Sequence, residues 1–175
     1  MDLPDIRRVW IKGYAQKEGS DYDETYAPVF KMTTFRLPLE LSAQYGWNVD
    51  HMDVVTRFPN PKINCDNIHM ETPPRIEWLE RQIPDGSMLV LQKALYRLQQ
   101  APRLWYEDIN GYLQSIGFHQ SAEDPNLYLQ PKVLLILYVD DLLIAYDGTD
   151  GKGHEIKRLL QENARCAIWE QPRGF

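Results

Sequence analysis

The 175-residue chain has little cysteine: Cys65 and Cys166 are far apart in sequence and belong to no CxxC or Cys/His spacing. That excludes a disulfide-stapled small domain and a structural zinc site, and reads as two free thiols of an intracellular protein, cytoplasmic or nuclear. It also lacks a long apolar run. The longest, Val133 to Val139, spans seven residues, far short of a membrane span. The opening MDLPDIRRVW has no apolar core of a signal peptide. Nor is there an excess of positive charge. The net charge of −6 argues against a dedicated nucleic-acid binder, although a local basic groove can coexist with it. The four histidines, His51, His69, His119 and His154, share no metal-ligand spacing, and no GxSxG, HExxH, Walker or GxGxxG pattern occurs.

What is present is ordinary globular material. Apolar residues at 43% and charged residues at 25% suffice for one domain with a real core, and the 12 prolines point to many short elements. Residues 1 to 31 read as loops or a hairpin. Residues 33 to 46 read as a helix with Thr33 or Thr34 as N-cap and Gly46 as its stop, with Pro38 an awkward interior residue. Asn48 to Thr56 reads as a strand, placing Met52 and Val54 on one face and His51, Asp53 and Val55 on the other. Short strands are expected near Ile68 to Met70 and from Met88. Trp105, Ile109, Tyr112, Leu113 and Ile116 recur at helical spacing, with Gly117 as C-cap candidate. Further strands follow over Leu127 to Gln130 and Val133 to Tyr146, then a short helix carrying Ile156, Leu159 and Leu160. Strands and helices alternate without βαβ regularity, so the fold class is α+β.

The segment LLILYVDDLLIAY, Leu134 to Tyr146, poses the functional question. It reads as a hairpin with two apolar arms and a turn at Val139–Asp140–Asp141. Taken alone, the turn can be a solvated acidic turn, since Asp is a usual turn residue. Alternatively, a rigid pair of carboxylates at a sheet surface suits hard divalent cations, which prefer oxygen ligands. Two such ions serve phosphoryl transfer. That arrangement needs a third carboxylate from a neighbouring strand, and Asp53 is the candidate.

Six ordered segments carry a resemblance. KGYAQKEGSDYDETYAPVFKMTTFR is similar to KGFxQxxGxDYxETFAPVxKxxTxR, MDVVTRF to LDVKTAF, and IHMETPP to YMEQPP. KALYRLQQAPRLWY is similar to KSLYGLKQAPRxWY, GFHQSAEDPNLYL to GFxxSxxDPxLYx, and LYVDDLLIA contains a YVDD box. Together they resemble the reverse transcriptases of copia-type LTR retrotransposons. The resemblance implies a palm with part of the fingers, an antiparallel sheet backed by helices. It assigns 1–36 to partial fingers and 37–163 to the palm, with a fingers insertion at about 59–92, and leaves 164–175 as a divergent tail. It implies RNA-directed DNA polymerase chemistry on an RNA template, a DNA primer and deoxynucleotides, with two Mg²⁺ or Mn²⁺ ions held by Asp53, Asp140 and Asp141. Phe58 matches the aromatic gate under the incoming sugar, Arg8 the arginine that grips the triphosphate, and Tyr138 the first residue of the box at the nucleotide site.

The departures fall at the nucleotide site. Arg57 stands where the family has Ala before the gate, Arg97 where it has Gly, Gln99 where it has Lys, and Ile6 where it has Lys. Pro38 and Pro59 replace Leu, and Arg75 replaces Gly. These changes, with no thumb or RNase H motif recognised in this sequence, imply a truncated polymerase that is impaired or inactive. The alternative is a non-catalytic retroelement-derived domain that binds nucleic acid or protein. Palm surface left uncovered by a thumb would also invite self-association.

Overall fold

The computed structural model describes residues 11–54, 62–63, 68–71, 84, 87–95, 97–163 and 166–169. Arg8, Arg57 and Phe58 lie outside the described residues, as do Ile6, Pro59 and Arg75. The chain divides into two compact units, Met1–Tyr26 with Phe58–Trp105, and Ala27–Arg57 with Tyr106–Phe175.

The second unit is built on a six-stranded antiparallel sheet. Its strands are β1 (Asn48–Val54), β4 (His119–Gln120), β5 (Leu127–Gln130), β6 (Val133–Tyr138), β7 (Asp141–Tyr146) and β8 (Cys166–Trp169). Their order is β4-β5-β6-β7-β1-β8. The hairpin β6–β7 is the centre, and its apolar arms explain why: Val133, Leu134, Leu135, Ile136 and Leu137 are all buried. A run buried on both faces needs cover on both faces. Helix α1 (Met32–Tyr45) supplies one side, where Leu127, Leu134 and Ile136 form a cluster with Phe30, Leu37, Leu41, Trp47 and Leu143. On the other side lie Met52, Val54, Leu135, Leu137, Leu142, Ile144 and Tyr128. Helices α2 (Ala101–Ser115) and α3 (Lys152–Asn163) close that side through Ile109, Leu113, Ile156 and Leu160, all buried. Each such side chain contributes about 2 kcal/mol. Tyr128 donates to Asn110 Oδ1 at 3.0 Å and Tyr112 to the Leu159 carbonyl at 2.8 Å, fixing α2 against β5 and α3.

The helix α1 begins differently from the sequence expectation. It starts at Met32, so Thr33 and Thr34 are inside it and Lys31 is the N-cap, with no capping side chain of its own. The cap comes from far away in sequence: Asp124 Oδ2 accepts from the Lys31 N–H at 2.9 Å and the Thr34 hydroxyl at 2.6 Å. Its carboxylate thereby satisfies an orphan amide and faces the positive helix end. Pro38 does not end the helix either. It is buried within it, and Ser42 Oγ donates to its carbonyl at 2.6 Å. Gly46 closes the helix with φ 69°, as expected.

The first unit holds a two-stranded sheet of β2 (His69–Glu71) and β3 (Met88–Val90) and a short 3₁₀ turn at Gly13–Ala15. Its loops are clamped by glutamines. Gln99 N–H donates to Gln16 Oε1 at 2.9 Å, Gln16 Nε2 to Gln100 Oε1 at 3.0 Å, and Gln100 Nε2 to the Asp21 carbonyl at 3.2 Å. KGYAQKEGSD and LQQAP are thus one hydrogen-bonded surface, and a side chain at Gly13 would collide with the Arg97 carbonyl.

Candidate catalytic site

The turn between β6 and β7 is shorter than the sequence reading placed it. Only Val139 and Asp140 are loop residues, and Asp141 is already the first residue of β7, paired with Tyr138. The physical reason is the two-residue loop, which lets ladder pairing resume at once. Val139 carries a positive φ of 55°, the geometry that two-residue hairpin loops ask of their first residue and normally fill with Gly. A β-branched residue there is a strained backbone at the tip of the hairpin.

Strand β1 lies beside β7 in antiparallel register, with Asp53 directly opposite Asp141. The Val54 N–H donates to the Asp140 carbonyl at 2.9 Å, tying the end of β1 to the turn. The sheet alternation then puts Asp53, Asp141 and Tyr138 on one face, the face predicted from β1 for Asp53 and His51. Directly opposed side chains have Cβ atoms about 4.5–5.5 Å apart, and like charges there repel. Both carboxylates are only partly buried, so they keep solvent access. Asp140 sits at the second loop position, also half-buried. Among the described residues no three His, Cys, Asp or Glu side chains are gathered closely enough to hold a metal ion. The two opposed carboxylates nonetheless suit a hard divalent cation, which accepts oxygen ligands and offsets their repulsion.

His51 is the residue whose part the sequence understated. Its Nε2 lies 2.8 Å from Asp141 Oδ1, reaching diagonally across from β1. The strand alternation had put it on Asp53's face; only the pairing register shows which carboxylate it meets. Beside these groups opens a groove of ≈ 390 Å³ walled by Phe30, Phe35, Ile136, Tyr138 and Leu143. Phe30 stacks on Phe35 at 5.6 Å and meets Tyr138 edge-on at 5.0 Å. Tyr138 is 46% exposed at this wall.

Of the remaining expected nucleotide-site residues, Arg97 is described within the first unit. It is exposed and adopts φ 75°, a left-handed conformation in which glycine is at ease and arginine is not. Arg8, Arg57 and Phe58 are outside the described residues.

Comparison with known proteins gives a family. The model described as reverse transcriptase (RNA-dependent DNA polymerase) matches residues 5–164. The retrovirus-related Pol polyprotein from transposon RE2 of Arabidopsis thaliana is 34% identical over 158 residues, 88% of this chain and 11% of that protein. The corresponding polyprotein from transposon RE1 of the same plant is 37% identical over 141 residues, 78% of this chain and 9% of that one. That from transposon TNT 1-94 of Nicotiana tabacum is 36% identical over 142 residues, 78% of this chain and 10% of that protein. The chain thus spans about a tenth of the length of these relatives. No solved structure matches it.

Proposed function

The chain belongs to the reverse transcriptase (RNA-dependent DNA polymerase) family, in its copia-type retrotransposon branch, and from that premise we propose that Asp53, Asp140 and Asp141 form a polymerase metal site working on an RNA template and a DNA primer. The observation that carries the reading is the register of Asp53 against Asp141 on one sheet face, beside a tight hairpin that presents Asp140. A protein gains nothing in stability from opposing two carboxylates, so the arrangement fits a site that accepts a cation.

In this reading the three carboxylates, which stand too far apart here to share an ion, would close on two Mg²⁺ or Mn²⁺ ions. When bound, the ions lower the barrier for attack of a primer 3′-hydroxyl on the α-phosphate of a deoxynucleotide and stabilise the departing pyrophosphate. The protein's own contribution is placement. The β6–β7 hairpin and the Val54–Asp140 bond hold the carboxylates on a rigid sheet, which suits a site that needs sub-ångström precision. By motif match, Arg8 binds the triphosphate, Phe58 excludes a 2′-hydroxyl, and Tyr138 lines the nucleotide position.

Arg57 and Arg97 work against this chemistry. Each replaces a small residue in a segment that the family places at the nucleotide, and Arg97 adopts φ 75°, a left-handed backbone in which glycine is at ease. The polymerase is accordingly impaired. Primer extension on an RNA template with Mg²⁺ or Mn²⁺ tests both parts, using the unmodified chain, Asp140→Asn and the Arg57→Ala/Arg97→Gly double variant. The expected result is weak or no extension by the unmodified chain and stronger extension by the double variant. Efficient extension by the unmodified chain, abolished in Asp140→Asn, supports the metal site and refutes the impairment. Extension that survives Asp140→Asn contradicts the metal site.

A further inference from the structure

We propose that His51 is a positioning residue for Asp141: its Nε2–H holds Asp141 Oδ1 and so turns the other carboxylate oxygen outward as a one-oxygen ligand for a divalent cation. The inference rests on the reading of Asp141 as a metal ligand and goes beyond it by assigning a residue that none of the six motif segments marks as a site residue. Two observations and one chemical constraint support it. The contact is 2.8 Å, within the range of a charge-assisted hydrogen bond. An ionised carboxylate can only accept, so the imidazole nitrogen facing it carries the proton. His51 and Asp141 side chains are 43% and 41% exposed, so burial does not explain why they meet. Two solvated side chains are held together across adjacent strands, at the point where the sheet opposes Asp53 to Asp141.

The consequence is directional. An aspartate on a strand end can rotate about χ1 and χ2, and an unheld carboxylate opposite another one swings away from it. Fixing one oxygen from the side keeps the carboxylate aimed over the Asp53 face, the task usually given to partners of metal ligands. His51 does not itself bind the cation in this scheme, because its Nε2 is engaged with Asp141.

The test is Mn²⁺ binding to the full chain, read by electron paramagnetic resonance of the free ion, which needs no polymerase turnover. Gln places its amide nitrogen near the position of imidazole Nε2, whereas the shorter Asn mimics Nδ1. The expected result is that His51→Gln binds Mn²⁺ within about two-fold of the unmodified chain, and that His51→Asn loses about ten-fold, the usual scale for a lost outer partner. Thermal melts of the metal-free proteins check that all fold alike. Equal binding by both variants and the unmodified chain overturns the inference, as does an equal loss in both, which would show that reach to Asp141 is not what matters. Asp141→Asn separates the premise from the inference. If Mn²⁺ binding is lost in Asp141→Asn but untouched by His51→Asn, only the role of His51 falls. If the unmodified chain binds no Mn²⁺, or binding survives Asp141→Asn, the metal reading falls and this inference with it.

Discussion

Lys157 Nζ lies 2.6 Å from Asp50 Oδ2, on the face of β1 opposite to Asp53. Tyr146 completes the group, its hydroxyl donating to the same oxygen at 2.8 Å and accepting from Lys157 at 2.9 Å. The lysine side chain is only 13% exposed. Burial works against its charge, but the bonds to Asp50 and Tyr146 more than offset this and raise its pKa. Strand β1 thus carries two aspartates with opposite fates: Asp50 is paired and anchors α3, while Asp53 faces another carboxylate.

This pair is expected to be structural. Lys157→Met keeps the apolar stem and leaves Asp50 without its cation, which should cost about 2–3 kcal/mol, toward the lower end for a broken buried pair because Asp50 is partly exposed. Adding Asp50→Asn should recover much of that loss, since the uncompensated charge is then gone. Urea denaturation of the single and double variants measures both. A double variant as unstable as the sum of the singles would contradict the coupling.

Asp124 should make stability depend on acid. Burial pushes its carboxyl up, but the Thr34 hydroxyl and the N–H groups of Lys31 and Asn126 pull further in the other direction, so its pKa lies below the ordinary value. A depressed folded-state pKa gives stability that is complete above the unfolded value of about 3.9 and is lost as pH falls through the lower folded value. Asp124→Asn should therefore lower stability at pH 7 by about 1–3 kcal/mol and flatten the acid limb below pH 4. Urea midpoints taken from pH 7 to pH 2.5 check that the gap between the two curves narrows toward the acid end.

Val139 should be paying for the shape of the hairpin. A positive φ costs an L-residue about 1–2 kcal/mol, whereas glycine adopts it freely but loses about 0.5–1 kcal/mol through unfolded-chain entropy. The residue is 40% exposed, so only part of the burial of a valine is forfeited. Val139→Gly should raise the melting temperature by about 2 °C. A fall of several degrees would mean that the valine side chain holds the turn by contacts that outweigh the strain.

Much of the second unit could be read along the chain because its signals are local. The alternation in β1 separated Met52 and Val54 from His51 and Asp53, and the structure keeps that division. Of the helical set Trp105, Ile109, Tyr112, Leu113 and Ile116, the first, second and fourth are buried on α2, as is Ala101, while Tyr112 and Ile116 are half-buried. What escaped is non-local. The cap of α1 comes from Asp124, 93 residues from Lys31, and no pattern near Lys31 announces it. Strand β8, within the stretch taken as a divergent tail, exists through its pairing with β1, with Met52 opposite Ile168, rather than through any long apolar run. In sequence Asp140 and Asp141 look like one turn; a two-residue loop divides them, with Asp141 opening β7. The tie between His51 and Asp141 depends on a diagonal across two strands 90 residues apart, which only the register reveals.

The central claim is that Asp53 and Asp141 are opposed for a cation rather than for the fold, and the most direct test is the melting temperature of the unmodified chain and of Asp53→Asn, each with and without millimolar Mn²⁺. Removing one of two facing charges should raise the metal-free melting temperature, because cross-strand repulsion of about 0.2–1 kcal/mol disappears. Mn²⁺ should stabilise the unmodified chain, since a ligand that binds only the folded state shifts the equilibrium toward it, and should leave Asp53→Asn unmoved. A variant that melts lower without metal and keeps the full Mn²⁺ shift would show that Asp53 supports the sheet and that the cation binds elsewhere.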